Sequence, residues 1–178
     1  MPVSLVAVNA VKLNTVAICK ANYAQVATIY AEGLATGVAT FETTVPDWPT
    51  WHAKYLPFAR MAAVNANTNH MLGWAALAPT SARWVYRGVA EASLYVAQAA
   101  RGQGVGRYLL GQLITQSEAN GVWSLQSSVF PENKASISLQ QAFGFRVIGY
   151  KELIAQRNGQ WHDNVLLERR SKVVAYPA

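Results

Sequence analysis

The sequence predicts an α/β fold with a mixed central sheet, and three observations carry that expectation. Short apolar, β-branched runs of strand length alternate along the chain with segments whose apolar residues recur at helical spacing. The stretch "EASLYVAQAARGQGVGRYLLGQLI", residues 91–114, passes from a strand through glycines at 102, 104 and 106 into a helical pattern. The tail holds two strand-like runs joined by "RNGQ", a hairpin turn. No repeat and no linker interrupts the 178 residues, so the chain reads as one domain over 1–178, with 1–15 as an extra N-terminal segment.

Taken in order, Val16–Cys19 reads as a first short strand, with Asn22 as a helix cap. Apolar residues at 26, 27, 29, 30 and 34 then mark a helix over Ala24–Leu34. "TGVATFETTVPDW" is irregular, rich in Thr and broken by Gly37 and Pro46. A shorter helix is expected from near Asp47 to about Leu56, before Pro57. Strands follow at Arg60–Val64 and Met71–Leu77, joined by the turn-prone "NANTNH". After the loop "APTSARWVYRG", Val89–Val96 is a strand, and the helix beyond the glycines runs to about Asn120. Val122–Val129 is strand-like, Asn133–Phe143 helical, and the final strands lie near Arg146–Gln156 and Val165–Arg169.

Composition narrows the function classes. Hydrophobic residues make up 52% of the chain and charged ones only 13%, enough for a core and too few charges for extended disorder. The net charge of +6 is spread along the chain rather than gathered into a basic run interleaved with aromatics, which argues against nucleic acid as the partner. A single cysteine, Cys19, cannot form an internal disulfide; in a predicted strand it reads as a small core residue, and the chemistry fits a reducing cytoplasm. The apolar start "MPVSLVAVNAVKLN" lacks the basic opening of a secretion signal, and no stretch reaches the roughly 20 apolar residues of a membrane span. His52, His70 and His162 show no metal-ligand spacing, and no G-x-S-x-G marks a hydrolase, so no metal is expected.

The glycine loop points to a phosphate. Residues without side chains let backbone N–H groups close on an anion at a helix N-terminus. The P-loop pattern is absent, and a dinucleotide fingerprint would need a small residue where Arg107 or Leu109 stands. The spacing is instead Arg101, two residues, Gly104, one residue, Gly106. With a strand before it and a helix after, this resembles the pyrophosphate loop of the GCN5-related N-acetyltransferases. "FPENKASISLQQAFGF", residues 130–145, resembles that family's second cofactor element, in which an asparagine opens a helix beside the pantetheine arm. "ATFET", "VAEASLYV" and "GQWHDNVLLERR" are similar to the phosphinothricin and methionine-sulfoximine acetyltransferase branch. The resemblance runs from about Val16 to Arg170.

The resemblance implies a central pair of splayed strands that bind acetyl-CoA, a small glutamate-like amino acid as the amine, and a homodimer. It implies that backbone at Arg101, Gly102, Gln103, Gly104, Val105, Gly106 and Arg107 holds the pyrophosphate. Leu94, Tyr95 and Val96 would pair with the pantetheine arm, and Asn133 and Ser136 would meet it from the second helix. One departure stands out: Gln140 occupies the position where many relatives have a tyrosine as general acid, and an amide cannot serve as one.

The residues themselves add reasons. Glu91 is a lone carboxylate in an uncharged strand, where facing the apolar side would be costly, so it is expected to line a polar cleft. An α-ammonium must lose its proton before attacking a thioester, and a carboxylate acting through water can take it. The resemblance puts the family's base at this position. Ser93 and Tyr95 share the strand face of Glu91 by the period of two. With Phe41 they match substrate-pocket positions of the branch, although Phe41 also suits a core. Arg83 lies eight positions before Glu91 and offers the guanidinium fork a substrate carboxylate needs, with Arg87 its rival in the same loop. Other readings stay open at this point: a different amine such as a polyamine or a protein N-terminus, or a non-catalytic acyl-CoA-binding protein.

Overall fold

A computed structural model describes residues 11–174. Seven strands form one sheet: β1 (Leu13–Ala17), β2 (Met61–Asn65), β3 (Met71–Pro79), β4 (Val89–Val96), β5 (Ser124–Val129), β6 (Arg146–Arg157) and β7 (Gln160–Arg170). Four helices join them: α1 (Tyr23–Ala35) and α2 (Trp48–Lys54) before β2, α3 (Val105–Ala119) between β4 and β5, and α4 (Lys134–Ala142) between β5 and β6. The sheet order is β1-β2-β3-β4-β5-β7-β6. Every neighbouring pair is antiparallel except β4 and β5, which run parallel because the α3 crossover joins them.

Helices cover both faces, and alternation along the strands explains how. One core layer holds Ala63, Ala75, Leu77, Ala90, Leu125 and Leu167 under α3, whose Val105, Leu109, Leu110, Leu113 and Ile114 form its apolar stripe. The other holds Ala62, Val64, Trp74, Ala76 and Ala78 against Val26, Ile29 and Tyr30 of α1 and Trp51 of α2. The Asp47 side chain accepts from the Thr50 N–H at 3.0 Å and sets the start of α2, with a proline in the first turn. The "RNGQ" turn forms as read: Asn158 and Gly159 have φ of 51° and 79°, the pair of positive values a two-residue hairpin turn needs.

Several expectations need correction. The first strand is Leu13–Ala17 rather than Val16–Cys19; it is an edge strand with no buried residue and no regular alternation, so its signal is weak. Leu13–Thr15 therefore belong to the sheet, while residues 1–10 of the expected N-terminal segment lie outside the described residues. Cys19 follows the strand and is exposed, not a core residue. Asn22 does precede α1, but its side chain turns back, accepting from the Cys19 N–H at 2.9 Å and donating to the Ala17 carbonyl at 2.9 Å. The last strand begins at Gln160, because the tight turn brings β7 into register at once, as Arg157↔Gln160. Among the described residues, no helix is long and apolar enough to cross a membrane.

Candidate active site

The parallel contact between β4 and β5 is short. It runs through Val89↔Ser124, Ala90↔Leu125 and Glu91↔Gln126 and then ends. Beyond Glu91, β4 stays paired only with β3, up to Gly73↔Val96, and β5 only with β7. The two strands splay, and the edge of β4 from Ala92 onward presents N–H and C=O groups with no strand partner on that side. Into this gap opens a cleft of about 660 Å³, lined by residues 91–96 of β4, 127–129 of β5, the glycine loop, α4 and the segment between α1 and α2.

At one end stands the start of α3. Gly104 is its N-cap with φ of 83°, Gly102 has φ of 75°, and a side chain at either position is disfavoured by backbone strain. A Cβ added to them would meet no atom within 4 Å, so conformation and not crowding requires these glycines. Gly106 differs: its Cβ would stand 3.2 Å from Leu139 and 3.7 Å from Val96, so it permits close packing of α3 on α4 and β4. The helix has no side-chain cap and no acidic residue in its first turn. The N–H groups of Val105, Gly106 and Arg107 have no intrahelical acceptor, and the positive helix end reinforces them. Such an end fits a pyrophosphate. Arg101 lines the cleft beside this loop, and its Nε donates to the Val96 carbonyl at 3.5 Å. The side chains of Gln103 and Arg107 lie elsewhere, Gln103 donating to Ala99 O at 2.7 Å and Arg107 stacking over Phe143.

Asn133 and Ser136 line the opposite wall from α4. Asn133 caps this helix, accepting from the Ser136 N–H at 3.2 Å, and its amide donates to the Val38 carbonyl at 3.3 Å. The same residue thus ties α4 to the α1–α2 segment. Gln140 is buried in the cleft wall; its Oε1 accepts from the Ser127 hydroxyl and its Nε2 donates to Ser136 Oγ at 3.1 Å. Both ends of the amide are engaged, and it has no proton to release.

Glu91 stands where the strands part, exposed to the cleft, with no ion pair or hydrogen bond to its carboxylate among the described residues. Ser93 and Tyr95 lie on the same face, as alternation requires. Ser93 Oγ accepts from Tyr55 Oη at 3.3 Å. The Tyr95 ring stacks on Trp74 at 4.7 Å and meets Tyr30 edge-on at 4.8 Å. It fits only because α1 carries Gly33, whose Cβ would stand 2.6 Å from the ring. Burial pushes the hydroxyls of Tyr30, Tyr55 and Tyr95 above the usual phenol range; nearby Glu42 adds to this for Tyr30, and Glu91 and Glu42 for Tyr55. These phenols stay neutral and keep their protons. Phe41 is half-buried in the cleft wall, 4.6 Å from Phe130 and 6.2 Å from His162 between ring centroids.

Arg83 is not among these residues. It is exposed at the start of a 3-10 turn after β3, with its guanidinium 5.5 Å from the Tyr86 ring. Arg87 stacks on Trp84 and Trp123 and is likewise absent from the cleft wall. The structure supplies instead residues that the sequence did not flag: Tyr30 of α1, Thr40 and Glu42 of the following segment, Lys54 at the end of α2, Tyr55, and Asn164 of β7. Thr40 and Glu42 lie within "ATFET" and Asn164 within "GQWHDNVLLERR", but Tyr30, Lys54 and Tyr55 belong to no quoted stretch and reach β4 only through the packing of α1 and α2 on the sheet. Among the described residues, no group of three or more His, Cys, Asp or Glu side chains forms a metal cluster.

Comparison with known proteins points to one family. The model of the acetyltransferase (GNAT) family matches residues 34–145. The chain is 36% identical over 145 residues to a phosphinothricin N-acetyltransferase of Alcaligenes faecalis, spanning 79% of this chain and 74% of that one. It is 34% identical over 83 residues to an L-methionine sulfoximine/L-methionine sulfone acetyltransferase of Pseudomonas aeruginosa, 47% of this chain and 48% of the relative. A solved phosphinothricin acetyltransferase from Sinorhizobium meliloti, in complex with AcCoA, has a TM-score of 0.79 at 25% identity, covering 89% of this chain and 88% of that one.

Proposed function

The chain belongs to the GNAT acetyltransferase family, and we propose that it moves the acetyl group of acetyl-CoA to the α-amine of a small glutamate-like amino acid. Phosphinothricin, methionine sulfoximine and arsinothricin share that shape, and resistance to such toxic analogues is the biological role we infer. The observation that carries the reading is the cleft itself: an anion-binding helix start at one end, an open strand edge along it, and the Glu91 carboxylate where β4 and β5 part. The names of the relatives support the substrate class.

Acetyl-CoA supplies an activated thioester. In this reading the backbone N–H groups of Val105, Gly106 and Arg107, with the loop from Arg101 to Gly104, hold the pyrophosphate. The unpaired edge of β4 over Leu94, Tyr95 and Val96 lies along the pantetheine arm, and one of its N–H groups faces the thioester oxygen. Asn133 and Ser136 border the arm from α4. Glu91 accepts the ammonium proton through water, leaving a neutral amine to attack the thioester carbonyl directly; the C–N bond forms as the C–S bond breaks, CoA leaves as thiolate, and the proton shed by the amide nitrogen returns it to the thiol. Ser93, Tyr95 and Phe41 shape the amine's end of the cleft.

We read the enzyme as cytoplasmic and as a homodimer. Supporting the dimer, Val147, Ile148, Tyr150, Leu153 and Ile154 are exposed on the edge strand β6, and Trp161 of the neighbouring β7 is exposed as well. The test of function is acetyl-CoA consumption against a panel of amino acids and amines. The reading expects at least one of the three analogues to be acetylated with kcat/KM far above simple amines. Preference for amines without a carboxylate contradicts it.

A further inference from the structure

We propose that Lys54, rather than Arg83, meets the α-carboxylate of the amino acid, and that the cleft selects amino acids whose end group is uncharged. The inference rests on the amino-acid reading above. Among the described residues, four charged side chains line the cleft: Glu42, Lys54, Glu91 and Arg101. Arg101 belongs to the loop after β4, at the pyrophosphate end. The substrate end therefore holds two carboxylates and one ammonium.

These three groups line one cleft, Lys54 in direct contact with Glu42 and Glu91 within electrostatic reach of the same Tyr55. Lys54 Nζ is 3.9 Å from Glu42 Oε1 and 5.6 Å from the centre of the Tyr55 ring. The carboxylates of Glu42 and Glu91 both act on the Tyr55 hydroxyl, which bonds to Ser93 in the middle of this wall. The Lys54–Glu42 pair is about half exposed, at 47% and 57% of each side chain, and such a pair holds weakly enough to admit a second carboxylate. The other polar groups here, Tyr30, Thr40, Tyr55, Ser93 and Tyr95, are uncharged.

An α-amino acid placed with its amine toward Glu91 can set its α-carboxylate on Lys54. An anionic end group, such as a phosphinate, would then find hydroxyls and the Glu42 carboxylate but no second cation on this wall. An uncharged sulfoximine or sulfone finds the same hydroxyls as partners and meets no repulsion. Discrimination thus comes from a disfavoured charge as much as from a favourable contact.

The test is steady-state kinetics of the full chain with L-methionine sulfoximine and L-phosphinothricin. The sulfoximine is expected to have the higher kcat/KM, by about tenfold or more, the scale of one charge-assisted contact. Glu42→Gln should narrow that preference. Lys54→Met should raise KM for the sulfoximine by about tenfold or more while acetyl-CoA affinity holds, Lys54→Arg should restore most of the loss, and Arg83→Ala should have the smaller effect. Phosphinothricin matching the sulfoximine, a preference unmoved by Glu42→Gln, or a larger KM effect from Arg83→Ala overturns the inference and leaves the amino-acid reading standing. Turnover of simple amines with neither amino acid acetylated overturns that reading and this inference with it.

Discussion

Glu91 of β4 and Gln126 of β5 are the last pair of residues in register before the two strands part. The only ionised group of β4 thus sits at the vertex of the gap, between the paired half of the strand and its open edge. Splay and carboxylate are two consequences of one arrangement. The α3 crossover fixes β4 and β5 as parallel neighbours, and the pairing of β5 with β7 carries its far end away.

The loop makes the cofactor end testable. Gly104 adopts φ of 83° in open space, so Gly104→Val strains the backbone without a clash. We expect weaker acetyl-CoA binding, by an amount equivalent to about 1–3 kcal/mol of strain in that conformation, with the fold intact. Gly104→Asn should lose less, because asparagine tolerates the left-handed region. Calorimetric titration with acetyl-CoA reads both, and an unchanged affinity in the valine variant refutes the loop assignment.

Gln140 bridges Ser127 and Ser136 in the cleft wall. Gln140→Leu leaves both hydroxyls without this partner and should lower stability by about 1–3 kcal/mol. Because the amide releases no proton, kcat should change little compared with the loss from a positioned acid, which is about 10²–10⁴. Denaturant unfolding and turnover, measured together, separate the two roles. A collapse of kcat in a folded variant would give Gln140 a part in the chemistry.

Behind the site, Arg169 of β7 joins Glu118 of α3 at 2.9 Å and the Phe143 carbonyl at 3.1 Å, while Ser171 donates to Glu118 at 2.8 Å. Burial pushes the Glu118 carboxyl up, but these hydrogen bonds and the guanidinium charge outweigh it and hold it below the usual range. A carboxyl held low in the fold contributes stability above its unfolded pKa, and that contribution is lost as pH falls through the folded value. Glu118→Gln should therefore cost about 1–3 kcal/mol at pH 7. The gap between parent and variant should close in acid, as pH falls below the ordinary carboxyl range. Unfolding curves across pH check the sign, and a gap that widens in acid contradicts it.

Much of this was readable in the chain, for local reasons. The alternation of Glu91, Ser93 and Tyr95 places three side chains on one face wherever β4 lies. The glycines at 102 and 104 announce positive φ, and Asn158–Gly159 announces a hairpin whatever surrounds it. The limits were tertiary. Arg83 is near Glu91 in sequence, yet the 3-10 turn after β3 carries it onto Tyr86 at the surface. Lys54 and Tyr55 lie far from β4 in sequence and arrive only because α2 packs beside Trp74 through Trp51, with ring centroids 5.7 Å apart. The Asn133–Val38 bond spans 95 residues, beyond the reach of any motif.

The most direct test of an acetyl-transfer site at the β4–β5 gap is the pH–rate profile of Glu91→Gln. The substitution keeps the size of the side chain and removes only the group that can accept a proton. We expect acetyl-CoA affinity to hold while kcat falls by about 10²–10⁴ and the acidic limb of the profile moves or disappears. Near-parental turnover at every pH would contradict the assignment and hand the proton to another residue or to solvent.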